Sequence, residues 1–549
     1  QVSTLSPTSF IYNARGQLEL TTQGTNQEQY SYNENGNLSS VTDYLGRTTQ
    51  YEYSPNNQVT KKILPNGSSI GFNYDPNGNL THITPPGRPD HEFTYNLMGL
   101  LSSYLPPTLS SQAMDNTVYS YNLDRQLTQV ALPDGTSLIY NYNPTSGLLE
   151  SITTPENVYS YTYELNSGLV SSITTDTGAA LNYGYKGSLL ESTETLSEFN
   201  SKVEISYSDD ATLSGQNVSD GTSTFNYTYS YDNDGLLKQI NDIQYGRNSF
   251  GAIESSSLEN ISQSIMFDEN GYSVREDFIA NGSAIHLTKY ERDAFGRIVV
   301  QSSYSKNSKH KAKNHTRFEY DNLGQLIEVR SAHKNRNRYE YAPNGNRLAA
   351  IYNKKRIEAQ YDDQDRLLKY GDTEFSYTPN GHLKEKREFK LVKKKIKIQL
   401  PWWKRFWGKF SGKGHSHHHQ HVWKWVKEEQ ITSYAYDRFG NLLKVTLPDE
   451  TVIEYIIDPL NRRIGKKING ELVEGYIYQS QTQIAATVNA QGVMDKTFIY
   501  GEKINIPDYM VYNGKNYRII SNQVGTPQKI VDAETGEVVK TYQFDEFGI

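Results

Sequence analysis

A short pattern recurs along the whole chain: a tyrosine, a glycine four positions later, and a leucine two positions after that. Copies stand at 32–38 (YNENGNL), 74–80 (YDPNGNL), 320–326 (YDNLGQL) and 436–442 (YDRFGNL). Well-spaced copies follow one another at intervals of 20 or 21 residues. A constant period of this length indicates one small structural unit per repeat, and such units are stabilised by stacking on their neighbours. The repeat therefore limits the fold more than any other feature of the sequence.

Each unit is predicted to be a strand, a tight turn and a second strand. Before the turn, aromatic residues alternate with other residues, as in FEYD, FSYT and YAYD, and a period of two places them on one face of a strand. Glycine supplies the positive φ of a tight hairpin turn, and Asn57, Asp365 and Asn461 stand at its position in three copies. The predicted turn glycines are Gly36, Gly78, Gly235, Gly296, Gly324, Gly345, Gly381 and Gly440.

Composition indicates what these strands enclose. The chain has 43 tyrosines in 549 residues, and its mean hydropathy is −0.70. Tyrosine buries a large ring but keeps a polar tip that needs water or a partner, so a single dense core is not expected. Hairpins laid side by side make one sheet, and the fixed hand of strand twist makes a long sheet coil. We predict an all-β fold: a spiral of antiparallel β-hairpins wound into a large hollow shell, lined by tyrosine, asparagine and glutamine.

The sequence also excludes several kinds of chemistry. It has no cysteine, so it has no disulfides, thiolate metal sites or cysteine nucleophiles. No apolar run is long enough for a membrane-spanning helix, and no motif has the spacing of a hydrolase elbow, a phosphate loop or a zinc-protease helix. We expect a protein that is not an enzyme and uses no cofactor or metal. Because the chain begins at Gln1 and stops just after a motif, we interpret it as a piece of a longer polypeptide.

Charge is distributed unevenly along the chain. Residues 1–280 contain 11 Lys and Arg against 31 Asp and Glu, a net charge of −20, whereas residues 281–549 contain 44 against 31, a net charge of +13. The total of −7 conceals this difference. Opposite ends of the folded protein should therefore carry opposite electrostatic potentials.

The repeated units resemble YD repeats, which build the rearrangement-hotspot (RHS) proteins of bacteria, the C subunits of insecticidal toxin complexes and the shell of teneurins. The resemblance covers most of the chain. The stretch at 359–383 is similar to the paired units near the end of teneurin and RHS shells, and the stretch at 522–548 resembles the segment that closes an RHS core. The matching residues of this closing segment are Gly525, Thr526, Pro527, Asp532, Tyr542, Phe544, Asp545, Phe547 and Gly548.

The resemblance implies a hollow β shell that, in the toxin-bearing members, encloses a variable C-terminal polypeptide. It thus implies a non-enzymatic encapsulating shell of a secreted bacterial polymorphic toxin, with an extracellular or cell-surface location and the chain's own C-terminal effector as partner. The alternative is a teneurin-like adhesion module that binds a protein, a glycan or a membrane through its outer face. RHS proteins also carry a self-cleavage motif built on Asp-Pro pairs, but Asp75-Pro76 and Asp458-Pro459 lie inside ordinary repeats, so neither pair is assigned that role.

The repeat spacing fails at one place. Gly381 and Gly440 are 59 positions apart, where the repeat allows about 20. We therefore divide the chain into shell repeats at 1–383, an insertion at 384–429 and further shell repeats at 430–549. The insertion holds all five tryptophans, and its 14 Lys and Arg against 4 Asp and Glu give a local net charge of +10. Its candidate contact residues are Trp402, Trp403, Lys404, Arg405, Phe406, Trp407, Trp423 and Trp425.

Two alternating stretches of the insertion, FKLVKKKIKIQL and HVWKWVKEEQITSYAY, predict a long antiparallel hairpin that projects from the shell. Tryptophan together with lysine suits the headgroup region of an anionic membrane. The same residues also suit a nucleic acid, which we do not expect for the shell itself. Two further interpretations are that the tryptophans cover a face of the shell or plug an opening in it, and that they bind another protein. The five histidines between 415 and 421 favour adventitious binding of Zn²⁺ or Ni²⁺ over a native metal site.

Overall fold

The computed structural model describes residues 5–109, 116–304, 314–331, 335–399 and 419–548. Within these ranges the chain forms 47 β-strands and no helix, which confirms the predicted all-β class. The same ranges therefore contain no helix long and apolar enough to cross a bilayer.

The strands of the first part of the chain are β1 (Thr8–Tyr12), β2 (Leu18–Gln23), β3 (Asn26–Tyr32), β4 (Leu38–Thr42), β5 (Thr48–Tyr53), β6 (Val59–Ile63), β7 (Ser69–Tyr74), β8 (Leu80–Thr84), β9 (His91–Tyr95), β10 (Leu101–Leu105), β11 (Thr117–Tyr121), β12 (Leu127–Ala131), β13 (Ser137–Tyr142), β14 (Leu149–Thr153), β15 (Val158–Tyr163), β16 (Val170–Thr175), β17 (Ala180–Lys186) and β18 (Leu189–Leu196). The middle strands are β19 (Ser201–Tyr207), β20 (Leu213–Ser219), β21 (Thr224–Tyr231), β22 (Leu237–Ile240), β23 (Ile243–Arg247), β24 (Ile253–Leu258), β25 (Ile261–Phe267), β26 (Ser273–Ala280), β27 (Ser283–Arg292), β28 (Ile298–Tyr304), β29 (Asn314–Tyr320), β30 (Leu326–Ser331), β31 (Arg336–Tyr341), β32 (Arg347–Tyr352), β33 (Lys355–Tyr361), β34 (Leu367–Tyr370) and β35 (Thr373–Tyr377). The last strands are β36 (Leu383–Gln399), β37 (His419–Tyr436), β38 (Leu442–Thr446), β39 (Val452–Ile457), β40 (Arg463–Ile468), β41 (Glu471–Tyr478), β42 (Ile484–Val488), β43 (Met494–Ile499), β44 (Tyr509–Tyr512), β45 (Lys515–Ser521), β46 (Pro527–Asp532) and β47 (Val538–Thr541).

The strands form one uninterrupted meander, because each strand pairs antiparallel with the strand that follows it in sequence. Most hairpins carry a bulge directly before the turn, at the tyrosine of the repeat, as between Asn73 and Tyr74. A bulge increases the local right-handed twist of the strand pair. Repeated along the chain, this twist makes the strip coil rather than lie flat.

The turn after each tyrosine is held by its own residues. In the repeat at 74–80 the amide of Gly78 donates to the Asp75 carbonyl, 3.0 Å away. One carboxylate oxygen of Asp75 accepts bonds from the amides of Asn77 and Asn79, both at 2.9 Å. The eight predicted turn glycines all have φ between 75° and 95°, a region that disfavours side chains bearing a Cβ. Asn57, Asp365 and Asn461 adopt φ of 61–63° at the same position, and short polar side chains tolerate this conformation best.

The tyrosine of most repeats ties its hairpin to the preceding one. The hydroxyl of Tyr74, for example, donates to the carbonyl oxygen of Val59 at 2.9 Å. Arginine replaces tyrosine in two repeats, and Arg247 and Arg292 donate to the corresponding carbonyls. We call this series of bonds the tyrosine ladder, and it explains why the repeat requires a hydroxyl on a large ring. The ladder contains, at 2.7–3.2 Å, Tyr32, Tyr53, Tyr74, Tyr95, Tyr121, Tyr142, Tyr163, Tyr185, Tyr207, Tyr320, Tyr341, Tyr361, Tyr377, Tyr478 and Tyr500.

Contacts between distant repeats show how the strip coils. The rings of Tyr44 and Phe295 lie 5.5 Å apart, and Arg88 Nε lies 2.8 Å from a carboxylate oxygen of Asp365. Further pairs are Asp134 with Asn380 and Glu156 with Arg438. These partners are 246 to 282 residues apart, so the strip completes one winding in roughly 260 residues, as expected for a regular repeat array.

The two windings first meet along their edges. In each of these pairs, a turn on one edge of the first winding meets a turn that follows the tyrosine position of a repeat in the second winding. We call residues 5–160 and 293–440, without the ribbon described below, the edge-joined region. Strand β3 shows how the two faces of this region differ. Tyr30 and Tyr32 are half-buried on one face, and Gln29 and Ser31 are exposed on the other. Tyrosine and glutamine, expected together in one lining, therefore lie on opposite faces of a single-layered wall.

Further along, the second winding crosses the face of the first instead of its edge. Residues 198–292 pack on residues 464–535, and we call this the face-packed region. The hydroxyl of Tyr227 donates to the carbonyls of Ala485 and Phe498, at 3.0 and 3.1 Å. A local core forms here, because two layers bury aliphatic residues between them, although no single dense core was expected for the chain as a whole. Those residues include Val203, Val218, Ile240, Ile243, Leu258, Ile261, Ile477, Val488, Ile499, Ile520 and Val531.

The two layers of the face-packed region pack directly on each other. The first layer contributes its tyrosine face, with Tyr227. The second contributes Ile477, which is buried, and the ladder residue Tyr478 is partly buried and packs against the same core. The layers approach closely, since a Cβ at Gly475 would lie 2.6 Å from the ring of Phe199.

The exposed surface measures how open the protein is. Its solvent-accessible area is 31567 Å². A compact monomer of 62.5 kDa would expose about 20,000 Å². The excess follows from a wall one sheet thick over much of the chain, and it agrees with the predicted spiral shell.

Candidate functional sites on the ribbon and the closing segment

The longest hairpin of the protein lies at the predicted insertion. Strands β36 and β37 pair through fifteen residue pairs, from Glu385 with Ser433 to Gln399 with His419. Pairing with the neighbouring strands ends at Arg387 on one side and at Ser433 on the other. Beyond these points the described residues of the two strands pair only with each other. We call residues 388–399 and 419–432 the ribbon, and it continues the shell strands across the predicted boundaries at 384 and 429.

One face of the ribbon alternates large apolar residues with lysines. Directly opposite residues of an antiparallel pair share a face, and the register places Lys393 opposite Trp425 and Lys395 opposite Trp423. Leu391 lies on the same face. The exposed fractions are 59% for Trp423, 68% for Trp425 and 62% for Leu391. We call this the tryptophan face; it also carries Phe389, Lys427, Glu429 and Ile431.

The opposite face of the ribbon has a different character. Val392 lies opposite Val426, and both are partly covered. Lys394 forms an ion pair with Glu428. Small apolar side chains and a paired charge make this an ordinary sheet surface, so the unusual chemistry of the ribbon is confined to the tryptophan face.

The structure describes only some of the candidate contact residues of the insertion. Trp423 and Trp425 are described, and their exposure argues against the interpretation in which they cover the shell. The other members, Trp402, Trp403, Lys404, Arg405, Phe406 and Trp407, lie outside the described residues, as do the side chains of the histidine cluster. Contact through those residues stays a prediction.

The closing segment is anchored to the first winding through Gln523. Its side-chain amide donates to Glu276 at 2.6 Å, and its carbonyl accepts from Ser273 and Arg292, both at 2.9 Å. Glu276 is buried, and burial raises the pKa of its carboxyl. Sequence reasoning had no signal for these partners, because they lie about 250 residues upstream and no period of the repeat relates them to the segment.

The last residues of the closing segment lie against the tyrosine face of β31. Tyr339 donates to the carboxylate of Glu546, and the Phe547 ring meets the Tyr339 ring edge-on at 4.9 Å. The guanidinium of Arg347 stands 4.6 Å above the Phe547 ring. Burial and the Glu546 carboxylate raise the pKa of Tyr339. Residues 522–548 and strands β28–β31 thereby border a cavity of about 840 Å³.

The basic stretch near 330–338 has an acidic partner that sequence reasoning missed. Glu328 is buried and accepts hydrogen bonds from Arg330, Arg336 and Arg338. The hydrogen bond from Arg336, helped by those from Arg330 and Arg338, outweighs the opposing effect of burial. Together they lower the pKa of the Glu328 carboxyl to about 2. Three positive charges thus converge on one carboxylate across the hairpin of β30 and β31, which makes part of this surface structural.

Acidic residues of the repeat serve its turns. Asp458 is buried, and its carboxylate accepts from the guanidinium of Arg462 at 2.7 Å. Asp75 caps its own turn as described above. Within the described part of the chain, no three His, Asp or Glu side chains lie close enough to hold a metal ion.

A coiled strip of YD hairpins joined by a tyrosine ladder defines a β-shell protein. The chain belongs to the teneurin YD-shell family, whose model matches residues 1–549, and this confirms the resemblance found in the sequence. No curated protein sequence matches the chain.

Two solved structures share the fold. TcdB2–TccC3 without its hypervariable C-terminal region is 12% identical, with a TM-score of 0.63, and the match covers 98% of this chain and 32% of that one. The Tc holotoxin pore of Photorhabdus luminescens with a TccC3 mutation is also 12% identical, with a TM-score of 0.54, covering 99% of this chain and 33% of that one. The chain thus spans about a third of the length of these structures, and at this identity the likeness concerns the fold alone.

Proposed function

We propose that the protein is a non-enzymatic encapsulating shell of a secreted bacterial toxin of the RHS type, and that it encloses a C-terminal effector polypeptide. The observation that carries this proposal is the single-layered wall, whose exposed area far exceeds that of a compact protein of the same mass. The shared fold with TcdB2–TccC3, whose structure was solved without its hypervariable C-terminal region, supports the same function.

The construction of the wall suits a container. Each hairpin is held to the next by backbone pairing and by the tyrosine ladder, so the wall does not need a filled interior to be stable. A container must also hold polypeptide without binding it too tightly. A tyrosine face, apolar in its rings and polar at its tips, meets both needs.

The closing segment supports an effector on the tyrosine side of the wall. Phe547 lies on Tyr339 and under Arg347, so these residues of the closing segment occupy that face of the sheet. A polypeptide placed there would be surrounded by the coiled strip.

A second candidate is a teneurin-like recognition module. The observation that favours it is the exposure of Trp423 and Trp425 on the ribbon. Recognition through the ribbon and enclosure by the wall use different parts of the molecule, so the two functions can be separated.

Small-angle scattering and deletion test the proposal. A compact chain of 549 residues has a radius of gyration of about 24 Å, and a shell must exceed this clearly. In the full-length gene product, deleting residues 389–427 should keep the radius of gyration clearly above the compact value. The protease resistance of an enclosed effector should also be unchanged. A radius near the compact value, or an effector digested as fast as the free polypeptide, would refute the container. If the same deletion abolished cell-surface binding while the shell stayed intact, the second candidate would be supported as well.

A further inference from the structure

We propose that the tryptophan face of the ribbon docks on an anionic lipid bilayer surface. This inference is independent of the container function, since it concerns a hairpin outside the wall. It rests on the exposed residues of β36 and β37 and on the distance by which these strands pass beyond their neighbours.

The residue types on this face suit the headgroup layer. Indole rings favour the membrane interface, where the ring is shielded and its N–H stays hydrated. Here Trp423 and Trp425 stand directly opposite Lys395 and Lys393, so apolar and cationic groups alternate over a short distance. The lysine stems lie along the surface while their ammonium groups reach phosphate. Leu391 adds exposed aliphatic surface on the same face.

Two lysines of this face, Lys393 and Lys395, are free to meet a ligand, whereas Lys427 lies near Asp372 and Glu429 pairs with Arg387. Among the described residues, no carboxylate lies within ion-pair distance of Lys393 or Lys395. On the other face Lys394 is paired with Glu428. A positive surface beside an anionic leaflet gains attraction that each lysine increases. Charge complementarity therefore selects anionic over neutral lipid.

The apolar residues favour lipid over nucleic acid. Single-stranded nucleic acids bind aromatic side chains by stacking and basic ones by ion pairing. Neither stacking nor ion pairing involves aliphatic side chains, yet Leu391 and Ile431 are exposed on the same face. A bilayer interface accommodates aliphatic, indole and ammonium groups together.

The ribbon has the reach to approach a flat surface. Pairing with β35 ends at Arg387 and the ribbon continues to Gln399, which at the rise of a β-strand is about 40 Å. Trp423 and Trp425, with Lys395 and Lys393 opposite them, lie in the middle of this length. A bilayer can therefore touch these residues beyond the point where pairing with the wall ends.

Tryptophan fluorescence tests the proposal directly, because all five tryptophans of the chain lie in the insertion. Replacing Trp402, Trp403 and Trp407 by phenylalanine leaves Trp423 and Trp425 as the only emitters. The full chain is mixed with vesicles of phosphatidylcholine alone, or of phosphatidylcholine with one third phosphatidylglycerol. We expect a blue shift and quenching by brominated lipid with the anionic vesicles only, and a marked weakening at high salt. No shift with either vesicle, or equal shifts with both, would overturn the proposal.

A matched pair of charge reversals tests which face binds. Lys395→Glu changes the tryptophan face, and Lys424→Glu makes the same change on the opposite face one residue from Trp423 and Trp425. We expect Lys395→Glu to weaken vesicle binding at least tenfold, roughly the contribution of two charge units near the surface, and Lys424→Glu to weaken it much less. Equal effects of the two variants would show that the vesicle is attracted by the overall positive charge of the ribbon and not by one face. That result would refute the proposal.

Two further measurements complete the test. Trp423→Ser with Trp425→Ser should abolish vesicle binding, and an unchanged far-ultraviolet spectrum would show that the wall is intact. If this variant does not fold, the Lys395→Glu comparison decides alone. Tighter binding to a single-stranded oligonucleotide than to anionic vesicles would also contradict the proposal.

Discussion

The edge-joined and face-packed regions are built from the same repeat, yet one is a wall and the other has a core. Both use the turn after tyrosine, and both contain ladder bonds, as at Tyr53 and Tyr478. They differ in what the second winding touches. In the edge-joined region it meets turns, as Arg438 meets Glu156. In the face-packed region it covers strands, and Ile499 is fully buried. The repeat builds a strip, and the course of the winding decides whether the strip encloses space or fills it.

The two contacts differ in strength as well. An ion pair between partly exposed turns contributes about 0–1 kcal/mol. Full burial of an isoleucine contributes roughly 1.5–3 kcal/mol, and the face-packed region holds many such residues. Stability should therefore be concentrated in residues 198–292 and 464–535. The edge-joined wall should depend on pairing within the strip and open first along its seam.

The largest expected effect is a cavity in the face-packed region. Ile499→Ala removes a side chain with no exposed surface and should lower the free energy of unfolding by about 2–5 kcal/mol. Ile139→Ala in the edge-joined region, where the side chain is 44% exposed, should cost less than about 1 kcal/mol. Denaturant unfolding followed by hydrogen exchange measures both. Similar losses in the two variants would contradict the comparison.

Acid should weaken the face-packed region through His286. Burial, and then the charge of Lys529, lower the pKa of His286 to about 4, whereas an unfolded histidine titrates near 6.5. The unfolded chain therefore binds more protons between these values. The stability that depends on neutral His286 is present above pH 6.5 and is lost as the pH falls towards 4, by at most roughly 3 kcal/mol.

The variant His286→Phe isolates this effect. The difference in unfolding free energy between wild type and variant should change between pH 6.5 and 4, in the direction that favours the variant in acid. A difference independent of pH would show that His286 is not responsible.

The seam of the edge-joined region can be opened by one substitution. Arg438→Ala removes a guanidinium 3.1 Å from Glu156 and 3.7 Å from Asp134, at a cost of about 1 kcal/mol. Hydrogen exchange should quicken in the turns at 132–136, 154–157 and 437–440 and stay unchanged in the face-packed region. Arg356→Ala is the control, because Arg356 pairs with Glu340 inside one winding. If the control opened the seam equally, the assignment of the seam would be wrong.

An effect of similar size tests the tyrosine ladder within the wall. Tyr53→Phe removes the bond to the Leu38 carbonyl, 2.7 Å away, and should cost about 0.5–1.5 kcal/mol. Tyr51 lies on the same strand and face, and its hydroxyl has no hydrogen bond to a described residue, so Tyr51→Phe should be close to neutral. Thermal unfolding compares the two. Equal losses would mean that the ring alone, and not the ladder bond, matters.

Local features of the fold were predictable from residue types. The period-two tyrosines give strands, as in β3 and β5, and the turn positions give positive φ at Gly36 and Asn57 alike. Both depend on interactions within one repeat. The ribbon was also predictable as a hairpin, because its alternation extends through β36 and β37. The partners of Gln523 and Phe547 were not predictable, since they lie more than 200 residues away.

The sequence by itself determined the strip: antiparallel hairpins of one length, a capped turn after each tyrosine, and a basic, tryptophan-rich hairpin at one edge. Only the tertiary structure decided where the second winding meets an edge and where it crosses a face. The reason is physical. Strand and turn energies act over a few residues, whereas the path of the winding is the sum of small twists over roughly 260 residues, and no single residue carries that sum.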